Sequence, residues 1–191
     1  MKFIEIKNDS EINKFLDGLN AAFKDRSNEK LLYEEVLKED LSDDSIYFGL
    51  YNKDDVMVAG FSLSNEIYKG KQCVHLSKVW THPSQQGKGY AKELMNNLEK
   101  YCIENNYASV SLGVPNIYVP AISLYQKSGF KKYGVYANVP NTYYFISMRK
   151  AICYKESEIN RIVGYIISKI KFFVLFKKDS TPKLVHRIIF R

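Results

Sequence analysis

Few folds accommodate the arrangement in residues 73–102. An apolar strand, Cys73–Thr81, closes on His82-Pro83, the loop Gln86-Gly87-Lys88-Gly89 follows, and a long helix begins whose residues Ala91, Leu94, Met95, Leu98 and Cys102 share one face. Gly87 and Gly89 lack a Cβ, so the backbone there can turn sharply and come close to a ligand. The first amides of the following helix have no partner inside it, and they point outward together at the positive end of the helix dipole. Such a strand–loop–helix unit suits a pyrophosphate. The Walker pattern of a nucleotide-triphosphate loop is absent, and so is the dinucleotide fingerprint, because only two glycines are present and they do not follow the first strand. The plain alternative is a tight strand–helix turn with no ligand.

Around this unit the chain alternates strands and helices. Lys2–Ile6 reads as a first strand. Asp9 or Ser10 can cap a helix with Ile12, Phe15, Leu16 and Leu19 at helical spacing, and a second helix is expected over Glu29–Asp40 with Leu32, Val36 and Leu37. Strands Ile46–Tyr51 and Val56–Leu63 flank the polar turn Asn52-Lys53-Asp54-Asp55, and Lys69-Gly70-Lys71 makes the next turn. After the central helix come a strand at Ser109–Val114, a short helix from Pro120 to Lys127 ended at Ser128-Gly129, and strands Phe130–Tyr136 and Tyr143–Met148. The order β-α-α-β-β-β-α-β-α-β-β predicts an α/β (α+β) fold: a mixed central sheet of about seven strands flanked by helices. The expected division is a domain over 1–150 and a helical extension over 151–191.

Composition sets limits on what this chain can be. With 191 residues, 46% hydrophobic and 26% charged, it is neither disordered nor fibrous. Its net charge of +7 resembles a nucleic-acid signal until it is located. Residues 150–191 hold ten Lys or Arg against three acids, while the rest of the chain is balanced. Nucleic-acid binding is not expected, because those basic residues are spread through an apolar helix and form no stripe. Cys73, Cys102 and Cys153 are odd in number and include no Cys-x-x-Cys pair, which fits reduced thiols. His75, His82 and His186 have no metal-ligand spacing, so no metal is expected. The opening residues lack the apolar run of a signal peptide, and the apolar region from Arg161 to Phe176 is interrupted by Lys169 and Lys171. A soluble, cytoplasmic protein is expected.

The stretch VWTHPSQQGKGYAKELM (79–95) resembles the cofactor motif of the GNAT superfamily of N-acetyltransferases, Gln/Arg-x-x-Gly-x-Gly/Ala, with Gln86, Gly89 and Ala91 in its positions. About thirty residues on, AISLYQKSGF (121–130) resembles the second signature of that family, a helix bearing Leu-Tyr ahead of Gly-Phe. The resemblance spans roughly residues 1–150 and implies the GNAT fold and an acyltransferase that takes its acetyl group from acetyl-CoA. By the same resemblance the pyrophosphate lies on the amides of Gln86, Gly87, Lys88, Gly89, Tyr90 and Ala91, with Lys88 and Lys92 adding charge. The pantetheine arm runs along Val79, Trp80 and Thr81, and amides near Val79 polarise the thioester carbonyl. Tyr125 takes the position of the general acid that protonates the departing thiolate.

Two departures from the family pattern stand out. The Asn often found seven residues before that tyrosine is Tyr118 here, with Asn116 out of register. The strand CVHLSKVWT carries no carboxylate to serve as a base. His75 is the nearest titratable candidate, its alternative being a strand residue with a satisfied ring, and Glu66 is a more distant option. The implied activity is acetylation of a primary amine of a small molecule or peptide by direct transfer. The alternatives are a GNAT-fold module that binds acyl-CoA without turnover, and an acetyltransferase docked to a membrane or partner through its tail.

Eleven acids against four bases lie between Asp25 and Glu66, which reads as a solvated helix face or as a wall that steers a cationic acceptor. Tyr133, Tyr136, Tyr143 and Tyr144 read as cross-strand packing or as an aromatic acceptor pocket. In the tail, Ile159, Ile162, Val163, Ile166, Ile167, Ile170, Phe173 and Val174 form one wide apolar face. That face is expected to be buried against the body or a second copy, the alternative being contact of 155–191 with an anionic membrane surface. Asp179-Ser180-Thr181-Pro182 is expected to end this helix, with a short second one over Lys183–Arg191.

Overall fold

The computed structural model describes residues 1–26, 34–139, 143–154 and 157–176. The chain forms two compact units, Met1–Tyr107 and Ala108–Arg191. The elements come in the order expected from the sequence, apart from the second helix.

In the first unit, β1 (Lys2–Glu5), β2 (Ser45–Tyr51), β3 (Met57–Tyr68) and β4 (Lys71–Thr81) pair in chain order, each antiparallel to the next. The β2–β3 turn is organised by Asn52, whose Oδ1 accepts from the Asp54 and Val56 amides at 2.9 and 3.0 Å. Tyr68 pairs with Lys71, so Lys69 (φ 50°) and Gly70 (φ 71°) form a two-residue hairpin loop with both residues left-handed, matching the twist of its strands. Helix α1 (Asp9–Arg26) lays Phe15, Leu16, Leu19 and Ala22 on one face of this sheet, against Tyr47, Tyr51, Met57 and Trp80. Burial of each large side chain contributes about 1.5–3 kcal/mol. Helix α2 (Tyr90–Glu104) buries Leu94, Met95, Leu98 and Cys102, and Tyr101 packs edge-on to Phe48 with centroids 4.8 Å apart.

Two expectations fail here. The cap of α1 is Asn8, whose Oδ1 accepts from the Glu11 amide at 3.0 Å, and not Asp9 or Ser10, which are already helical. The helix expected over Glu29–Asp40 is not found in its described part: residues 34–37 are irregular and Lys38–Asp40 make one 3₁₀ turn, while 27–33 lie outside the described residues. Val36 packs against the core all the same, whereas Leu37 is exposed. The Asn20 side chain brackets Val36, its Nδ2 donating to the Val36 carbonyl and its Oδ1 accepting from the Val36 amide, both at 2.9 Å, which holds the segment extended against α1. Tertiary hydrogen bonding overrides a local helical period.

In the second unit, β5 (Ser109–Pro115), β7 (Tyr143–Ala151) and β6 (Lys131–Val139) pair antiparallel in that spatial order. Helix α3 (Val119–Lys127) starts with Pro120 in its first turn, where a missing N–H costs nothing. Helix α4 (Glu158–Phe176) packs along β6, the terminal strand of the three. It docks with its polar side. Arg161 Nη1 donates to the Lys132 carbonyl at 2.9 Å, and Ser168 Oγ accepts from the Val135 amide at 3.3 Å. Lys131 and Arg161 pair with Glu158, and Phe172 packs on Tyr144. The expectation of a buried apolar stripe is therefore reversed: Ile159, Ile162, Val163, Ile166, Ile167 and Ile170 are 45% to 73% exposed. The open backbone of an edge strand needs polar partners, and the polar side of the helix supplies them. Phe173 and Val174 as side chains, the break at 179–182 and the helix expected at 183–191 lie outside the described residues.

Candidate functional site

The loop between β4 and α2 is built from short-range contacts. His82 Nδ1 meets Ser84 Oγ at 2.9 Å and Pro83 opens a 3₁₀ turn through Gln85. Gln86 is extended, then Gly87 (φ 76°) and Gly89 (φ 85°) both take the left-handed backbone that L side chains avoid. A Cβ at either glycine would meet no atom within 4 Å, so neither is there to make room for protein. The first amide of α2 with an intrahelical partner is Glu93, bonded to the Gly89 carbonyl at 3.1 Å. Among the described residues, the amides of Gly87, Lys88, Gly89, Tyr90, Ala91 and Lys92 have no backbone partner.

Charge points the same way. The first turn of α2 carries one acid, Glu93, but Lys88 and Lys92 flank the helix start, and neither lysine has an ion-pair partner among the described residues. Lys88 Nζ donates only to Gln85 Oε1 at 3.0 Å, and Gln86 Nε2 to Asp25 Oδ2 at 3.3 Å. Converging amides with two lysines are a poor design for an isolated helix and a good one for a bound anion. The residues present thus fit the pyrophosphate of a coenzyme A thioester.

Next to the loop, β4 is broken by a bulge. Gly60 pairs with Trp80 and Ser62 with Ser77, so Lys78 and Val79 together oppose Phe61. Lys78 is left-handed (φ 48°), unusual for a lysine, and the pairing with β3 skips both bulge residues. The Val79 carbonyl accepts from Arg26 Nη1 at 3.4 Å. Nothing in the sequence Ser-Lys-Val-Trp signals this bulge. The ring of Trp80 is fully buried between Phe15 and Gly18, and Thr81 is buried as well, so these two reach a ligand only through backbone.

Beyond the bulge, the register places Ser62, Ser64 and Glu66 of β3 opposite Ser77, His75 and Cys73 of β4, all six on one face. Ser62 and Ser77 are hydrogen-bonded at 2.8 Å. Glu66 and His75 are diagonal neighbours there, within reach of one another's surroundings. The acids of 25–66 do not form one wall. Asp43 and Asp44 precede β2 at the Ser45–Ser64 end, with Glu66, whereas Asp54 and Asp55 sit in the β2–β3 turn at the other end. No group of three His, Cys, Asp or Glu side chains is arranged to hold a metal among the described residues.

In the second unit, Tyr125 lies on the buried side of α3 with Ile122. The helix ends in a Schellman cap: the Phe130 amide bonds the Tyr125 carbonyl at 2.9 Å and the Gly129 amide bonds the Gln126 carbonyl at 3.1 Å, with Gly129 left-handed (φ 90°). The contact that accompanies such a cap is between Tyr125 and Phe130, whose rings meet edge to face at 5.8 Å. Leu-Tyr ahead of Gly-Phe is therefore a device that fixes the orientation of the tyrosine. Asn116 Oδ1 accepts from the Tyr144 amide at 3.0 Å, which ties β5 to β7. Tyr136 of β6 stacks across strands on Phe145 of β7 at 5.3 Å, while Tyr143 packs on Phe145 within β7 at 5.6 Å. Burial pushes the hydroxyls of Tyr136 and Tyr143 above their ordinary pKa.

The family model for the acetyltransferase (GNAT) family matches residues 12–130. No curated protein sequence matches the chain. Among solved structures, the ribosomal-protein-S18-alanine N-acetyltransferase of Escherichia coli is similar with a TM-score of 0.62 and 17% identity, over 82% of this chain and 97% of that one. An N-acetyltransferase from Staphylococcus aureus gives 0.62 and 19% identity, over 80% and 98%. An aminoglycoside 6'-N-acetyltransferase complexed with coenzyme A gives 0.59 and 18%, over 82% of this chain and 100% of that one. At such identities these likenesses establish the fold, a mixed seven-stranded sheet with flanking helices, and the family match covers more than half of the chain. Glycine loop, capped tyrosine, fold and family model agree: the chain belongs to the GNAT family of acetyltransferases.

Proposed function

We propose that the protein acetylates a primary amine, drawing the acetyl group from acetyl-CoA by direct transfer. The observation that carries this reading is the loop and helix start at Gln86–Ala91: two left-handed glycines, amides from Gly87 onward without backbone partners, and two lysines without ion pairs among the described residues. Acetyl-CoA supplies an acyl group activated as a thioester. The amides of Gly87–Ala91, with Lys88 and Lys92, hold its pyrophosphate, the Gln86 amide being taken by the Pro83 carbonyl at 3.3 Å, and the backbone of Val79–Thr81 guides its pantetheine arm. The amides of the Lys78–Val79 bulge donate toward the thioester carbonyl, where negative charge develops during transfer. Tyr125 gives a proton to the departing sulfur. General acid catalysis of this kind is worth typically ~10²–10⁴-fold.

The amine must arrive neutral or lose a proton to attack. His75 and Glu66, sharing the polar face of β3 and β4, are the groups of this chain able to accept it, directly or through water. Asp43, Asp44 and Glu66 lie toward the same end of the β2–β3 hairpin, which favours a cationic acceptor such as a polyamine, an aminoglycoside or a lysine-bearing peptide.

Calorimetric titration with acetyl-CoA and with acetyl-pantetheine tests the cradle. Tight binding to the first and much weaker binding to the second is expected, and equal affinities would remove the pyrophosphate from Gln86–Ala91. Thiol release over a panel of amines then separates an enzyme from a module that binds acyl-CoA without turnover.

A further inference from the structure

From the outward apolar face of α4 and the charge that surrounds it, we infer that this protein docks on anionic lipid surfaces, with α4 lying in the plane of the interface. Ile159, Ile162, Val163, Ile166, Ile167 and Ile170 follow the spacing i, i+3, i+4, i+7, i+8, i+11, which puts all six on one side of the helix. The opposite side is committed to β6 through Arg161 and Ser168, and to Tyr144 of β7 through the buried Phe172. The helix is thus held with its polar side inward and its aliphatic side outward, the orientation an interfacial helix needs.

The choice of occupant rests on charge. On the helix wheel Lys169 and Lys171 border the two flanks of the apolar face, where their stems can lie along it and their ammonium groups reach headgroups. The one acid of α4, Glu158, is engaged by Lys131 and Arg161. Residues 150–191 carry ten basic and three acidic side chains, and Lys177, Lys178, Lys183, Arg187 and Arg191 all follow the apolar stripe in sequence. A second copy on this face would bring two such cationic segments together with no free acid in either helix to offset them. An anionic surface is attracted by the same residues. Among the described residues no helix is long and apolar enough to cross a membrane, so the geometry is one of lying on the bilayer.

The test uses the full chain and sedimentation with two kinds of vesicle, phosphatidylcholine alone and phosphatidylcholine containing about a third phosphatidylglycerol. Binding to the second kind only is expected, weakening as salt rises from about 0.1 M to about 1 M and the Debye length falls from ~10 to ~3 Å. The double substitution Ile162→Asp with Ile166→Asp should weaken binding at least about tenfold while leaving the melting temperature unchanged, because both side chains are exposed. Lys171→Glu, which changes charge at an exposed position and leaves the aliphatic stripe intact, should reduce binding severalfold. Ile67→Asp, on the first unit and still more exposed, should have no effect. Indifference of the wild type to phosphatidylglycerol overturns the inference; a dimer in light scattering that the Asp pair dissociates would then assign the face to a second copy, and a monomer would assign it to the chain's own remaining residues. Unchanged vesicle binding by both the Asp pair and Lys171→Glu overturns it equally.

Discussion

Gly18→Ala sets two physical effects against each other, and the structure decides the sign. Gly18 lies inside α1, where replacing glycine by alanine ordinarily stabilises by about 0.8–1.0 kcal/mol. Here a Cβ would sit 2.9 Å from Trp80 Cζ2 and closer still to Cη2 and Cζ3. Reaching ordinary contact requires the indole to retreat by more than ~1 Å, since carbon atoms rest at roughly 3.5–4.0 Å. The ring has nowhere to go. Phe15 meets it edge-on at 5.7 Å, and on its far side Gly60 is so close that a Cβ there would lie 2.8 Å from Trp80 Nε1. Overpacking of this kind costs typically ~1–3 kcal/mol and occasionally more, so after the helix gain the net effect is a loss of up to about 2 kcal/mol. For a chain of this size that is a fall of up to roughly 8 °C in melting temperature.

Trp80 precedes Thr81 and follows the Lys78–Val79 bulge, so the strain acts on the strand proposed to guide acetyl-CoA. The assay is thermal and urea unfolding of Gly18→Ala, Trp80→Phe and the pair together. Trp80→Phe alone loses packing but also removes an indole N–H that is buried without a partner. In the pair the smaller ring makes space for the new methyl group, so the two effects should fall short of additivity by at least about 1 kcal/mol. A rise in melting temperature for Gly18→Ala would show that helix propensity wins and that the Gly18–Trp80 contact does not constrain the fold.

Four further outcomes are expected. Tyr125→Phe should lower kcat by ~10²–10⁴-fold with acetyl-CoA affinity nearly intact, as read from steady-state kinetics and calorimetry on the same sample. Gly89→Glu should weaken acetyl-CoA binding at least about tenfold, and Gly89→Ala, which carries the same backbone strain without the charge, should weaken it less. Gly129→Ala should destabilise by about 1–2 kcal/mol, because φ is 90° there and only the flexible end of Lys150 meets the new Cβ at 3.4 Å. Burial raises the hydroxyl pKa of Tyr47, Tyr51, Tyr101, Tyr136, Tyr143 and Tyr165, so the folded state holds these protons more tightly than the unfolded one. That contribution is complete below the ordinary value of 10 and is lost as pH rises through the folded values; the urea midpoint should therefore drop at alkaline pH, and drop less in Tyr136→Phe.

Elements whose pattern is settled by their own residues could be read from the sequence. The α1 and α2 stripes, the Asn52 turn and the glycine stop of α3 all depend on neighbours within a few positions. The failures have a common cause. Residues 34–37 carry helical periodicity but are held extended by Asn20, a residue of another element. The apolar stripe of α4 promised burial, yet the helix turns its other side inward because the edge of β6 needs a donor and an acceptor. Neither partner is visible in the period of the segment itself.

The two sides of the candidate site divide along the same line. The anion cradle is made of backbone from one continuous stretch, Gln86–Ala91, so two glycines and a helix start suffice to announce it. The side proposed for the amine is made by pairing, and its residues are scattered from Ser62 to Ser77. It was recoverable all the same. Taking Lys69-Gly70 as a two-residue loop sets Tyr68 against Lys71, and counting back in steps of two puts Glu66 against Cys73, Ser64 against His75 and Ser62 against Ser77. Along β4 itself His75 is the nearest titratable group, and Glu66, the more distant option in sequence, becomes its diagonal neighbour through the pairing of Glu66 with Cys73 on the adjoining strand. In a hairpin, a missing residue on one strand has to be sought at the register position of the other, and Glu66→Gln, compared with His75→Gln in pH profiles of kcat/KM, distinguishes which of the two carries the proton.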